Sequence, residues 1–160
     1  MTAIPRLVIA GTESGCGKTS LASGLMSALR DRGLVVQPFK TGPDFIDPTH
    51  HTRICGRTSR NLDPFMMGEE GVLQTFVYAS AGAGIAVVEG AMGLFDGIDG
   101  SDFSSTAHVA RVLKAPVVLV VSAAASARSV HAVVRGFRDF DPRVRIAGII
   151  FNRLAGTKHR

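Results

Sequence analysis

The chain has 160 residues, 46% of them hydrophobic and 19% charged, with a net charge of +5 and an isoelectric point near 9.9. That balance describes one globular domain and excludes a disordered chain, and no apolar run approaches the roughly 20 residues that a membrane span needs. Two cysteines, and a start (Met-Thr-Ala-Ile-Pro-Arg) that leads straight into an apolar run, set the expectation of a reducing, cytoplasmic compartment with no signal peptide and no disulfide framework.

The positive charge suits a polyanion, either nucleic acid or a small polycarboxylate. One Tyr and no Trp leave no aromatic-interleaved basic stretch, so nucleic acid is not the expected partner.

Arg6–Ala10 reads as a buried parallel strand, a short apolar run closed by glycine. It is followed by Gly11-Thr12-Glu13-Ser14-Gly15-Cys16-Gly17-Lys18-Thr19 and then by a helical pattern. Strand, glycine-rich loop, Lys-Thr and helix is the arrangement that cradles a nucleoside triphosphate. Glycines let backbone N–H groups turn onto phosphate oxygens, and the helix start adds its positive dipole end. Lys18 can reach the β- and γ-phosphates, and the Thr19 hydroxyl can ligate Mg²⁺. The loop is one residue longer than the commonest form, because Thr12 stands five before Gly17 and the glycine is Gly11. ATP is therefore expected at Gly11, Thr12, Ser14, Gly15, Cys16, Gly17, Lys18 and Thr19.

Thr19–Asp31 reads as a helix, with Leu21, Leu25, Ala28 and Leu29 on one face and Gly33 past its end. Leu34–Lys40 reads as the second strand. Thr41 to about Gly68 is a long polar segment rich in Pro, Gly and Asp, and so long a stretch with little pattern points to function. Glu69–Ser80 is a helix candidate. Ile85–Val88 is the third strand, ending in Glu89-Gly90, with a glycine-rich loop beyond it. Ser104–Leu113 is a short helix capped by Ser104 or Ser105. Pro116–Val121 is the fourth strand, Ser126–Phe140 a helix and Arg145–Phe151 the fifth strand.

Strands alternating with helices predict an α/β fold of the P-loop NTPase type. The expectation is a parallel sheet of about five strands with helices on both faces. Ligands of such sheets lie at the carboxyl ends of the strands. Every polar motif falls at such an end: Gly11–Thr19, Lys40–His51, Glu89–Gly97, Ser122 and Asn152.

Glu89, at the end of a strand beside the phosphate loop, is where a second Mg²⁺ contact belongs. Asp44 and Asp47, in a proline-punctuated loop, are turn formers, Mg²⁺ ligands or substrate-orienting groups. Lys40 can neutralise a transferring phosphoryl group. His50 and His51 are adjacent, no Cys/His set has zinc spacing, and a surface or substrate contact is expected of them. Neither Cys16 nor Cys55 stands in a nucleophile motif. Asn152 is either a base-contacting amide or a turn residue.

Five segments together resemble the cobyrinic acid a,c-diamide synthase family, in its N-terminal ATP-binding domain. They are Gly11–Thr19, Lys40-Thr-Gly-Pro-Asp-Phe-Ile-Asp-Pro48, Arg60-Asn-Leu-Asp-Pro64, Glu89-Gly-Ala-Met-Gly-Leu-Phe-Asp-Gly97 and Gly148-Ile-Ile-Phe-Asn-Arg153. The first is shared with dethiobiotin synthetase; the second and fourth are more specific. Members act on cobyrinic or hydrogenobyrinic acid, with a methanogen branch acting on Ni-sirohydrochlorin.

The resemblance implies a dethiobiotin synthetase-like fold and an amidoligase reaction. ATP phosphorylates a peripheral carboxylate of the tetrapyrrole, and ammonia from glutamine displaces the phosphate to leave an amide. By the same resemblance Lys18, Thr19, Asp44 and Glu89 serve ATP and Mg²⁺, and Lys40 stabilises the transferring group. Phe45 and Ile46 line the substrate, with Asp47 and His51 beside them. Domains of this kind often dimerise, so a homodimer is one expected assembly.

Two departures stand out. Family members are far longer and carry a C-terminal glutaminase domain with its own cysteine nucleophile. Residues 1–160 correspond to the ATP-binding domain alone, and the glutaminase domain is missing from them. Ser122 also stands where the family pattern has Asp. The competing readings are a dethiobiotin synthetase-like carboxylase, which lacks Gly-Pro-Asp-Phe-Ile-Asp-Pro, and a partitioning-type ATPase. The latter carries a lysine where this chain has Glu13, five residues before Lys18.

Overall fold

The computed structural model describes residues 4–124 and 126–154. Six strands form one parallel sheet: β1 (Arg6–Gly11), β2 (Val36–Thr41), β3 (Arg60–Leu62), β4 (Ile85–Glu89), β5 (Val117–Ser122) and β6 (Ile146–Asn152). Their order is β3-β2-β4-β1-β5-β6. The connecting helices are α1 (Lys18–Asp31), α2 (Ile46–Cys55), α3 (Pro64–Ala79), α4 (Thr106–Leu113) and α5 (Val130–Phe140). The doubly covered parallel sheet expected from the sequence is present.

The strand count is corrected from five to six. β3 is three residues long, too short to display any alternation, and it is made by pairing along β2, with Lys40 opposite Asn61 and Thr41 opposite Leu62. α2 falls in the stretch read as patternless, and two further helices begin elsewhere than expected. α3 begins at Pro64, not Glu69. Asp63 caps it by accepting from the Phe65 N–H at 2.9 Å, and Pro64 sits where its missing N–H costs nothing. The helix is broken once, at Gly68 (φ 67°, ψ 170°), which hid its first turn. α5 starts at Val130 instead of Ser126.

Two apolar layers flank the sheet. On one side Val8, Phe39, Val88, Leu119 and their neighbours pack under α3, α4 and α5, with Phe39 stacked on Phe76 at 5.1 Å. Burying one such ring contributes about 1.5–3 kcal/mol. On the other side Ile9, Val36, Val87 and Val120 meet Ala22 and Met26 of α1 and the partly buried Ile54 and Cys55 of α2. Strand alternation sends Lys40 and Glu89 to this second side. They are register partners on β2 and β4, the last of a face that is otherwise apolar.

Candidate active site at the carboxyl ends of the strands

The phosphate loop leaves β1, the strand between β4 and β5. Its backbone needs glycine at defined places. Gly15 has φ +75° and Gly17, the residue before α1, has φ +104°, conformations that a side chain disfavours. A Cβ on Gly17 would strike the Asn152 amide, and one on Gly11 would strike the Cys16 sulfur and crowd Lys18. Lys18 is buried and donates to the Glu13 carbonyl at 2.8 Å. Burial holds its amine below the ordinary lysine value, and nearby Lys40 adds to that.

Beside the loop lies a buried charged cluster. Lys40 Nζ is 2.6 Å from Asp47 Oδ2, 3.0 Å from Glu89 Oε1, 3.2 Å from the Gly90 carbonyl oxygen and 3.8 Å from Asp44 Oδ2. Thr19 donates to the same Glu89 oxygen at 2.6 Å. Glu89 is 0% exposed and Lys40 is 5% exposed. Burial opposes both charges, but attraction prevails. Lys40 is held above its usual value by Glu89 and Asp47, and Glu89 below its usual value by the adjacent His51, Lys40 and Thr19. Lys40 and Glu89 therefore stay ionised through neutral pH.

α2 supplies the far wall. Asp47 and His51 lie four residues apart, so one face of the helix carries both. His51 Nε2 is 2.8 Å from Glu89 Oε2, and the ring is 0% exposed. The ring is close enough to favour the ionised carboxylate, but it is not aligned for a full hydrogen bond. Nδ1, Nε2 and Glu89 Oε2 have no hydrogen-bond partner among the described residues. Leaving a buried donor or acceptor unpaired costs about 1–3 kcal/mol. The surface position expected of His51 is thus corrected: α2 turns it inward, and no ring atom is open to a large substrate.

α2 itself escaped the sequence reading because the side chains it turns toward the site, Asp47 and His51, are polar. Pro48 fits its first turn, Asp44 accepts from the Ile46 N–H at 2.8 Å, and Gly56 (φ 65°) ends it. Phe45 and Ile46 start α2 on its outside, 80% and 61% exposed at the rim of the cluster.

Asn152 donates its amide to the Cys16 carbonyl at 2.9 Å, so in this structure it braces the phosphate loop. The Cys16 side chain is buried under the loop. Burial pushes the Cys55 thiol up to about 11, which fits the absence of a nucleophile motif around it. Ser122 ends β5 in register with Asn152. Ser14 and Gly15 are exposed at the loop's crown, and the Thr12 N–H is tied to the Val120 carbonyl at 3.1 Å.

Several positioning residues were not singled out from sequence. The Asn61 amide donates to the Gly42 and Asp44 carbonyls at 2.7 and 2.5 Å, pinning the turn that presents Asp44. Thr41 and Thr106 both accept from the Ala91 N–H, at 2.7 and 3.0 Å, fixing the start of the loop after Glu89. Gly90 is needed there, since a Cβ would come within 2.7 Å of Thr106. Asn61 sits inside the Arg60–Pro64 motif and Thr41 inside the Lys40–Pro48 motif, which were usable signals; Thr106 lies in neither.

A nucleotide with Mg²⁺ fits these residues. The loop has the positive-φ glycines of a phosphate cradle, and Thr19 with an ionised Glu89 is a hard-oxygen donor pair. Mg²⁺ usually takes one or two carboxylates and completes its shell with phosphate and water. Among the described residues no cluster of three or more His, Cys, Asp or Glu has metal-holding geometry. No helix among them is long and apolar enough to cross a membrane.

Comparison with known proteins agrees. Residues 7–160 match the family described as CbiA: CobQ/CobB/MinD/ParA nucleotide binding domain. A hydrogenobyrinate a,c-diamide synthase from Streptomyces coelicolor is 54% identical over 99% of this chain and 33% of its own length. A cobyrinate a,c-diamide synthase from Syntrophotalea carbinolica is 56% identical over 97% of this chain and 34% of its own. The chain thus spans about a third of the length of the curated relatives it matches. Among solved structures, the signal recognition particle receptor FtsY of Elizabethkingia anophelis superposes with TM-score 0.65 at 15% identity, over 94% of this chain and 51% of its own. The kinase domain of the Escherichia coli tyrosine kinase ETK gives 0.63 at 13%, over 96% and 69%. These two likenesses carry the fold alone. The resemblance read from the sequence motifs is borne out by the relatives.

Proposed function

The chain belongs to the CobQ/CobB/MinD/ParA nucleotide-binding family, and from that premise we propose that it is the ATP-using, carboxylate-activating part of a tetrapyrrole a,c-diamide synthase. The observation that carries the reading is the buried, ionised Lys40–Glu89 pair, bonded to Asp47 and Thr19, beside a phosphate loop.

In this reading the loop N–H groups and Lys18 hold the β- and γ-phosphates of ATP. Thr19, Glu89 and Asp44 would hold Mg²⁺, which neutralises phosphate charge when bound. A side-chain carboxylate of the macrocycle attacks the γ-phosphorus. The bond to the ADP oxygen breaks and an acyl phosphate forms. Lys40, already poised between Asp47 and Glu89, offsets the charge on the transferring group. Ammonia then attacks the acyl carbon, phosphate leaves with the former carboxylate oxygen, and the nitrogen loses a proton to give the amide. In the longer relatives, glutamine hydrolysis outside the span that this chain matches would supply the ammonia. Phe45 and Ile46 offer exposed apolar surface to the flat macrocycle, and the net charge of +5 suits a polycarboxylate.

The test is ADP release with Mg²⁺ and ammonium, in the presence of cobyrinate, hydrogenobyrinate or Ni-sirohydrochlorin against no macrocycle. The proposal expects stimulation by a macrocycle and its loss in Glu89→Ala. Turnover that is the same with and without every macrocycle sinks it.

A further inference from the structure

We propose that His51 is a positioning residue for the metal-holding carboxylate Glu89. This rests on the reading of Glu89 as an Mg²⁺ ligand. The two carboxylate oxygens are divided between two sets of neighbours. Oε1 takes Thr19 at 2.6 Å and Lys40 at 3.0 Å, while Oε2, with no hydrogen-bond partner among the described residues, lies 2.8 Å from His51 Nε2. Both side chains are 0% exposed, so water cannot replace the ring.

The ring has no other employment. Neither of its nitrogens has a hydrogen-bond partner among the described residues. A histidine kept in a core for packing would satisfy at least one nitrogen there. This one is aimed instead at the remaining oxygen of the site's most buried carboxylate. Its nearness blocks rotation of the carboxylate, so Oε1 stays on the side of Thr19 and the phosphate loop. A small turn of the ring would let Nε2–H donate to Oε2. Partners behind a ligand carboxylate act in this way, fixing its orientation, and losing one typically weakens metal binding about ten- to a hundredfold.

The arrangement also gives α2 two jobs. Its inner face sets Lys40 through Asp47 and Glu89 through His51, while Phe45 and Ile46 stand exposed at its start.

The experiment is Mn²⁺ binding to the ADP-loaded chain, read by electron paramagnetic resonance, with ADP affinity measured separately in EDTA. His51→Phe fills the space without a donor, and His51→Gln restores one. The expected result is Mn²⁺ affinity about ten- to a hundredfold weaker in His51→Phe and largely recovered in His51→Gln, with metal-free ADP affinity unchanged in both. Wild-type Mn²⁺ affinity in His51→Phe overturns the proposal. So does a wild-type chain that binds ADP yet never takes up Mn²⁺, which removes the metal reading of Glu89 as well. Neither readout needs amidation, so failure of the tetrapyrrole reading is seen separately, as metal binding intact with no macrocycle-stimulated turnover. If His51→Phe loses its thermal unfolding transition, ring-¹⁵N-labelled wild type carries the test. The His51 signals should move when Mg²⁺ joins the ADP complex, while those of His50 and His131 stay; an unmoved His51 contradicts the proposal.

Discussion

The phosphate loop and the inner face of α2 meet at the same site but are built by opposite means. The loop is made of backbone: glycines at φ +75° and +104°, a buried lysine and a bracing amide from β6. The α2 face is made of side chains: Asp47 and His51, each paired to one residue of the sheet. Backbone geometry admits few residue types, so it leaves a mark in the sequence. A side-chain cluster is defined only once the chain has folded, and it can be written in residues that look like a polar surface.

The two constructions should fail differently. The largest effect is expected on the α2 side. Lys40→Met leaves Asp47 and Glu89 facing each other without their cation, and removing one partner of a buried ion pair costs about 3–5 kcal/mol. Urea unfolding should show it, and adding Glu89→Gln to Lys40→Met should recover part of the loss. On the loop side, Gly17→Ala must hold φ +104° and displace the Asn152 amide, a strain of about 1–3 kcal/mol that should appear mainly as weaker nucleotide binding. Gly24 of α1 sharpens the contrast. Nothing lies within 4 Å of a Cβ there and its φ is ordinary, so Gly24→Ala should raise stability by about 0.4–1 kcal/mol.

Asn152→Ala removes one brace worth about 1 kcal/mol, hence about a fivefold loss in nucleotide affinity by titration. If instead the base selectivity collapses while affinity for triphosphate alone is kept, the amide reads the base and the bracing role is secondary. Phe45→Ala should be the mildest for the fold, within about 0.5 kcal/mol, because the ring is 80% exposed. Its effect should fall on the macrocycle KM, leaving kcat nearly unchanged.

The same contrast explains what could be read in advance. β1, β4 and β5 are apolar runs ending at polar motifs, and the loop from Gly11 to Thr19 announces itself through glycine, Lys and Thr. The pairing of Lys40 with Glu89 was foreshadowed, since both close strands that reach one end of the sheet. α2 and β3 were not legible. α2 turns Asp47 and His51 toward charged partners, so it shows no clear apolar period, and β3 exists only because β2 offers it an edge. The inward turn of His51 followed from neither its type nor its neighbour His50. It depends on the four-residue spacing from Asp47, which becomes meaningful only when the segment is known to be helical.

The most direct test of the central claim follows oxygen. A macrocycle whose side-chain carboxylates are labelled with ¹⁸O is turned over with ATP, Mg²⁺ and ammonium, and the phosphate released is analysed by mass. Carboxylate activation at the Lys40–Glu89 centre predicts one labelled oxygen in each phosphate for each amide formed. Amide formation with unlabelled phosphate would contradict it, because the acyl phosphate would then not lie on the path.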